Sequence, residues 1–389
     1  MPTCTNPDNA MPPKIQMTDL PRLMAPYIGE VQAAIDRVLH SGHYVGGKEV
    51  AAFEHAWAGC VGVRHAIGTG NGTDALAIAL RALGIGPGDR VATVSLTAGA
   101  TAAAVVMTGA LPVWVEVAPD TLTMSTRSLE HVLQAHAHTS HPVKAVIPVH
   151  LFGHPADMPG ILRLADAYGS HVVEDCAQAH GASIDGRPCG SFGRFAAFSF
   201  YPTKNLGCMG DGGALCTDDD RLAASARMIA QYGWQERNHS LIQGVNSRLD
   251  PVQASILQVR LRHLPRENER RRQIAAHYAR ALPPSLPAQR PATGGSRNVY
   301  HQFVIRTPDR DALAGRLAQA GIESQVHYPL PAHRQAAYST CLRECQTDLG
   351  LTETVCREVL SLPVHPALDD SDVEYVLQTL DTEINHHAG

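Results

Sequence analysis

Lys204 lies in the run Phe198-Ser199-Phe200-Tyr201-Pro202-Thr203-Lys204-Asn205-Leu206-Gly207. Lysine ordinarily occupies solvated faces, so one in an aromatic, glycine-flanked loop is atypical. In a desolvated pocket near other cations its pKa falls, and the amine becomes a nucleophile toward a carbonyl. A second feature is Val172-Val173-Glu174-Asp175, where two β-branched residues run into two carboxylates. Ligands of open α/β sheets sit outside the carboxyl ends of the strands, so an acid at that point is placed for chemistry. When buried, it can hold a ring nitrogen protonated by ion pairing, as an electron-sink cofactor requires. The third feature is Gly70-Asn71-Gly72-Thr73-Asp74, between a β-rich run and a helical pattern. Glycines let the backbone approach a ligand closely, and the free N–H groups and dipole of a new helix favour an anion such as phosphate.

Each feature alone also fits an ordinary role: a turn that binds nothing, a helix cap or surface acid pair, a loop lysine. In combination they supply three different needs of one cofactor. A phosphate cradle, an acid for a pyridine nitrogen and a Schiff-base lysine follow one another along the chain, which points to pyridoxal phosphate.

Short β-rich runs alternate with helical patterns up to about residue 217. The runs Val63 to Ile67, Arg90 to Val94, Pro112 to Val117, Ala145 to Val149 and His171 to Glu174 read as strands. Between them, helices are expected from Thr73, from Thr101 and over Pro155 to Tyr168, the first stopped by Gly84-Ile85-Gly86-Pro87-Gly88. Strand, helix and strand at such separations form βαβ units, hence a mostly parallel sheet covered on both faces. Beyond Thr217 the chain turns helical, with Val252 to Leu264 continuing through Arg270, Arg271 and Arg272, a basic run read as a solvated face. Pro283 to Ser296 reads as a linker. A strand Val299 to Ile305 and helices Asp309 to Ala320 and Asp372 to Ile384 then make a smaller α+β unit. The expected division is a loose tail over 1–16, a large domain over 17–265 and a small domain over 266–389.

The 389 residues are 44% apolar, enough for a large core. A net charge of −5 gives no electrostatic reason to expect nucleic acid or an anionic membrane surface. No apolar stretch reaches the length of a membrane span, and the polar, Pro-rich start lacks the apolar core of a signal peptide. The nine cysteines, among them Cys4 and the pair Cys341 and Cys345, form no Cys-x-x-Cys motif, and the histidines, including His386-His387, are dispersed. Free thiols in a reducing cytoplasm and no metal are therefore expected.

Ordered stretches along nearly the whole chain carry a family resemblance. They include Gly72-Thr73-Asp74-Ala75-Leu76, Val149-His150-Leu151-Phe152-Gly153, Glu174-Asp175-Cys176-Ala177-Gln178-Ala179-His180-Gly181, the Lys204 loop with Gly210-Asp211-Gly212-Gly213, Asn246-Ser247-Arg248-Leu249-Asp250 and His327-Tyr328-Pro329. With these the chain resembles the DegT/DnrJ/StrS family of sugar aminotransferases. The resemblance implies the aspartate-aminotransferase fold (pyridoxal-phosphate fold type I), an α/β architecture with a mostly parallel sheet in a large domain and a smaller α+β C-terminal domain. It implies that Lys204 carries the cofactor as a Schiff base and that Asp175 pairs with the pyridine nitrogen. Gln178 would bond near the ring hydroxyl; Ser199 and the backbone of Thr73 and Asp74 would hold the phosphate. Asn246 would reach the phosphate of a neighbouring subunit's cofactor, making the working unit a homodimer with shared sites. Substrates of such enzymes are nucleotide-linked keto-sugars aminated by L-glutamate or L-glutamine. For the sugar diphosphate, Trp234, Arg237, His327, Tyr328 and His333 are the candidates. The family usually has an aromatic residue stacked on the cofactor ring where this chain has Ala98, so Leu96 or a neighbour is expected to cover that face. A keto-cyclitol aminotransferase and a regulatory relative without turnover are the alternative readings, the second disfavoured by the retained lysine, acid and phosphate residues.

Overall fold

A computed structural model describes residues 15–283, 286–289, 295–338 and 347–385. Seven strands form its central sheet: β1 (His65–Thr69), β2 (Arg90–Val94), β3 (Leu111–Val115), β4 (Val143–Ile147), β5 (His171–Asp175), β6 (Phe195–Ser199) and β7 (Gly213–Thr217). Their spatial order is β1-β7-β6-β5-β4-β2-β3. Strands β3, β2, β4, β5 and β6 run parallel, and β7 is antiparallel to both neighbours. The mostly parallel sheet expected from the alternating pattern is present.

The strands are buried on both faces, as a parallel sheet covered by crossover helices must be. Helix Gly72–Ala82 packs Leu76, Ile78 and Leu80 on one face of the sheet, and helix Met158–Tyr168 packs Ile161 and Ala165 on the other. The first of these starts because the Asn71 side chain accepts the Asp74 N–H at 2.8 Å, capping the first turn. Ends of the sheet strands are shifted by up to two residues from the sequence reading, β1 beginning at His65 rather than Val63, and the strand expected from Val299 begins only at Phe303.

The C-terminal unit pairs Phe303–Arg306 antiparallel with Val359–Leu362. Helices Leu264–Ala281, Arg310–Gln319 and Asp370–Asn385 enclose a second core containing Tyr278, Phe303, Leu317 and Leu360. Two readings change here. Ile15, expected in a loose tail, bridges to Ile322 and is 2% exposed in this core. Arg271, expected on a solvated face, is 4% exposed, because the helix carrying it is covered by the 300–301 and 364 segments whose carbonyls it binds. Half of the expected linker Pro283 to Ser296, together with Cys4, Cys341, Cys345 and His386-His387, lies outside the described residues.

Candidate active site

The carboxyl ends of β5 and β6 and the start of helix Gly72–Ala82 converge. Asp175 ends β5 and is 5% exposed. Its Oδ2 accepts the Thr101 hydroxyl at 2.7 Å and its Oδ1 accepts the Ala177 N–H at 3.1 Å. Burial holds its pKa above the usual carboxylate range, against the pull of Thr101, Ala177 and the charge of Lys204. An N–H cation would relieve that burial penalty.

Glu174, the other acid of the pair, points away from this chemistry. It accepts the backbone N–H groups of Gly190, Phe192 and Gly193 at 2.7 to 2.8 Å and faces His150 Nε2 at 3.1 Å. His150 Nδ1 accepts the Ala156 N–H, and the His150 N–H donates to the Asp175 carbonyl. His150, Glu174 and Cys176 bring ligand-type atoms within 4.8 Å of one another, but these bonds already use the histidine and the carboxylate. The group acts as a buried brace under Asp175.

Lys204 follows β6 in a turn closed by its own N–H to the Tyr201 carbonyl at 2.8 Å. Desolvation brings its amine down to about 8, opposed by Asp175. Neighbouring cations, expected to contribute, are not the cause. Instead, the nearby histidines are kept neutral by their own burial: His180 falls to about 3, His327 to about 4 and His301 well below its usual value. Loss of water is what depresses the lysine.

Ser199 ends β6 directly against Gly72: a Cβ built on that glycine would stand 2.8 Å from the Ser199 Cβ. The glycine is therefore required for the hydroxyl to reach the helix start. The N–H groups of Gly72 and Thr73 have no acceptor among the described residues, so a hydroxyl and two N–H donors face one place. The Asp74 N–H is not among them, because Asn71 already takes it. Asp74 contributes its carboxylate instead, accepting Ser247 Oγ at 2.7 Å and Asn71 Nδ2 at 3.1 Å. Ser247 also accepts the Gly70 N–H at 2.9 Å, so the loop carrying Asn246 is moored to the cradle.

The DegT/DnrJ/EryC1/StrS aminotransferase family matches residues 27–381. The chain belongs to this family. It is 43% identical over 361 residues to the dTDP-3-amino-3,4,6-trideoxy-alpha-D-glucose transaminase of Streptomyces venezuelae, covering 92% of this chain and 93% of that one. To the UDP-N-acetyl-3-dehydro-alpha-D-glucosamine 3-aminotransferase of Acidithiobacillus ferrooxidans it is 42% identical, covering 92% and 95%. A solved family aminotransferase from Brucella abortus superposes with a TM-score of 0.92 at 37% identity, over 95% of this chain and 99% of that one. The family's enzymes are pyridoxal-phosphate-dependent aminotransferases, and this chain is one of them.

In this DegT/DnrJ/EryC1/StrS aminotransferase the described residues fit that cofactor. The donors at Gly72, Thr73 and Ser199 could take its phosphate, the buried Asp175 its ring nitrogen, and the desolvated Lys204 its aldehyde. Gln178 is 5% exposed, its Oε1 accepting the Phe152 N–H and its Nε2 donating to the Tyr328 hydroxyl at 3.0 Å. Burial pushes the Tyr328 hydroxyl up to about 12, so it stays protonated. Leu96 does not cover a ring face: it is fully enclosed in the core, while Ala98, half-buried, stands at the start of the helix that carries Thr101.

The outer candidates divide. His327 Nδ1 meets Ser361 Oγ at 2.9 Å, next to Tyr328. His333 is 2% exposed, with Nδ1 on Ser95 Oγ at 2.7 Å and Nε2 on Glu353 at 3.0 Å; both ring nitrogens are spent on packing the 332–334 turn. The Trp234 ring lies tilted beside that of Tyr232, 5.0 Å between ring centres, with the Arg248 guanidinium 5.9 Å from the Tyr232 ring. Arg237, at the tip of the hairpin joining Trp234–Glu236 to His239–Ser240, is exposed, as is Asn246. Sequence reasoning missed Thr101, whose signal was a lone hydroxyl in the first turn of an Ala-rich helix, and the His150–Glu174 brace, which no local pattern announces.

Proposed function

We propose that this aminotransferase moves an amino group from L-glutamate or L-glutamine to a nucleotide-linked keto-sugar, giving an amino-deoxy sugar, as a homodimer with shared sites in the cytoplasm. The observation that carries the reading is full-length likeness to two transaminases whose names specify dTDP- and UDP-linked sugars, in a chain that keeps Lys204 and Asp175. A relative named as a pleiotropic regulatory protein, from Geobacillus stearothermophilus, is 39% identical; the complete site of this chain favours turnover. The six described cysteines are free thiols, in keeping with a reducing compartment.

Pyridoxal phosphate, when bound, supplies an electron sink for charge developing at the carbon beside the amine. The chain's residues do the rest. Asp175, oriented by Thr101 and Ala177, holds a proton on the ring nitrogen through its negative charge. Lys204 Nζ, low enough in pKa to be partly free base near neutrality, would hold that group and would carry the proton taken from the substrate carbon. Gln178, fixed between Phe152 and Tyr328, orients the ring edge. Ser199 with the Gly72 and Thr73 N–H groups fixes the phosphate. Asn246, exposed on a loop moored through Ser247, reaches the partner's site, and exposed Tyr201, Leu241, Ile242 and Val245 on the same stretches support burial against a second copy. Arg237 and the Tyr232–Trp234–Arg248 group take the nucleotide part, with His327 and Tyr328 nearer the sugar; His333 is left out.

The test is turnover of holoenzyme with L-glutamate against a panel of dTDP- and UDP-linked keto-sugars. Formation of 2-oxoglutarate and an amino sugar is expected. Turnover on a keto-cyclitol with none on any nucleotide-linked sugar would overturn the substrate reading.

A further inference from the structure

The turn that carries Lys204 is fastened to the rest of the molecule through the residue next to it. Asn205 is 2% exposed, and its Nδ2 donates to the Val299 carbonyl at 3.0 Å and to Asn268 Oδ1 at 2.8 Å. Asn268, 3% exposed, lies on helix Leu264–Ala281 of the C-terminal unit. Its own Nδ2 donates to the His180 carbonyl at 2.8 Å. His180 follows Asp175 closely in the chain, so one amide bridges the segment leaving the acid and the segment leaving the lysine. Gly181 makes room for that amide: its φ is +83°, and a Cβ there would stand 2.8 Å from Asn268 Nδ2.

The two backbone carbonyls decide how these amides face, since a carbonyl oxygen only accepts. The NH2 of Asn205 lies on the Val299 side, and that of Asn268 on the His180 side. Asn205 Oδ1 is left facing His301 Nδ1 at 3.2 Å, so that nitrogen carries the ring proton. His301 Nε2 is then the bare nitrogen of a neutral imidazole. Its neutrality agrees with a pKa held well below the usual value, by burial first and then by the charge of Lys204. All four residues are buried, and removing one partner of a buried hydrogen bond leaves the other unsatisfied. Arg260 Nη1 also reaches the turn, at the Gly207 carbonyl, but the amide pair is the shorter link and adjoins the lysine.

We propose that Asn268 is a positioning residue for Lys204: through Asn205 it holds the turn against the segment leaving Asp175, and it fixes the His301 proton on Nδ1. The proposal rests on reading Lys204 as the lysine that binds the cofactor. Alanine at 268 would leave a polar gap between Asn205 and the His180 carbonyl, which water would fill. The amine would regain solvent, and its charged form would be favoured. The titratable groups acting on Lys204 are Asp175 and the imidazoles of His180, His301 and His327. Replacing Asn268 by alanine adds or removes no charge among them.

The experiment follows attachment of pyridoxal phosphate to the full-length apoprotein against pH, through the visible absorbance that forms. Wild type should show a midpoint at about 8. Asn268→Ala should move it up by about one unit and slow attachment near neutral pH about tenfold. Leu317→Ala, a cavity in the core of the C-terminal unit, should lower the melting temperature and leave the midpoint in place. A merely structural Asn268 would behave like Leu317. If Asn268→Ala does not fold, Asn268→Ser takes its place with the same expectation. In wild-type protein carrying isotope-labelled histidine, magnetic resonance should find the His301 proton on Nδ1, the signal being identified by its loss in His301→Gln. An unmoved midpoint in a folded Asn268 variant, or a His301 proton on Nε2, overturns the proposal. Wild-type protein that attached no pyridoxal phosphate at Lys204 at any pH would overturn the reading of that lysine, and this role with it.

Discussion

The inner end of the sheet and the hairpin around Trp234 are built to different degrees of completion. At the inner end, Asp175 has two donors fixed at 2.7 and 3.1 Å, Gln178 has partners on both sides, and the acid beneath them is saturated by backbone N–H groups. Around the hairpin, Arg237 and Asn246 are exposed, and Tyr232, Leu241 and Ile242 leave apolar surface in water. Buried polar groups must be satisfied within the chain, so the inner site is preorganised by folding alone. Exposed groups on a short two-stranded ribbon carry no such demand, and on the proposed reading a second subunit or the substrate completes them.

The contrast breaks first at Lys204. Lys204→Ala should lower transamination by at least about 10⁴-fold and remove the visible absorbance of the resting holoenzyme, since both depend on its amine. In the wild-type apoprotein, attachment of the cofactor should speed up as pH rises through about 8, because deprotonation creates the nucleophile. A rate still rising about tenfold per pH unit beyond about pH 9, with no levelling, would mean the amine is not desolvated as the geometry indicates.

Asp175→Asn comes next. It keeps the shape and removes the charge, so exchange of the donor's α-proton should slow by about 100-fold while circular dichroism and melting stay near wild type. Unchanged exchange would assign the ring nitrogen to another group.

Mixing Lys204→Ala with Asn246→Ala protein sharpens the outer half of the comparison. If sites are shared, free subunit exchange at equal amounts makes about half the dimers hybrid, each with one intact site, and about a quarter of wild-type activity returns. No recovery despite exchange seen by native mass spectrometry would put Asn246 in its own subunit's site.

The smallest effect is expected at Arg237. Arg237→Ala should raise the KM for the nucleotide-linked sugar about tenfold and leave the glutamate half-reaction intact. Equal damage to both halves would move Arg237 to the dimer interface or the cofactor.

Local patterns in the chain carried the parallel sheet, the order of its elements and the inner residues. Strand and helix periods, the break at Gly84 to Gly88 and the acid at the end of β5 all arise from neighbours in sequence. The Lys204 loop declared itself by composition, as did the Gly70 to Asp74 turn. Where reading failed, the cause was a long-range partner. Arg271 looked like one arginine of a solvated run until carbonyls from residues 300, 301 and 364 closed over it. His333 looked like a free binding group, yet Ser95 and Glu353, 238 and 20 residues away, hold both its nitrogens. Asp74 is the local exception: its N–H is taken by Asn71, three residues earlier.

What the sequence determined by itself is therefore the chemistry available: a lysine, an acid and a glycine-rich turn placed at strand and helix ends by periodicity. Tertiary structure decided which polar groups remain unspent. A hydrogen bond or buried charge finds its partner across the chain, and only the folded protein shows that Arg271 is anchored on three backbone carbonyls and that His333 is not left free.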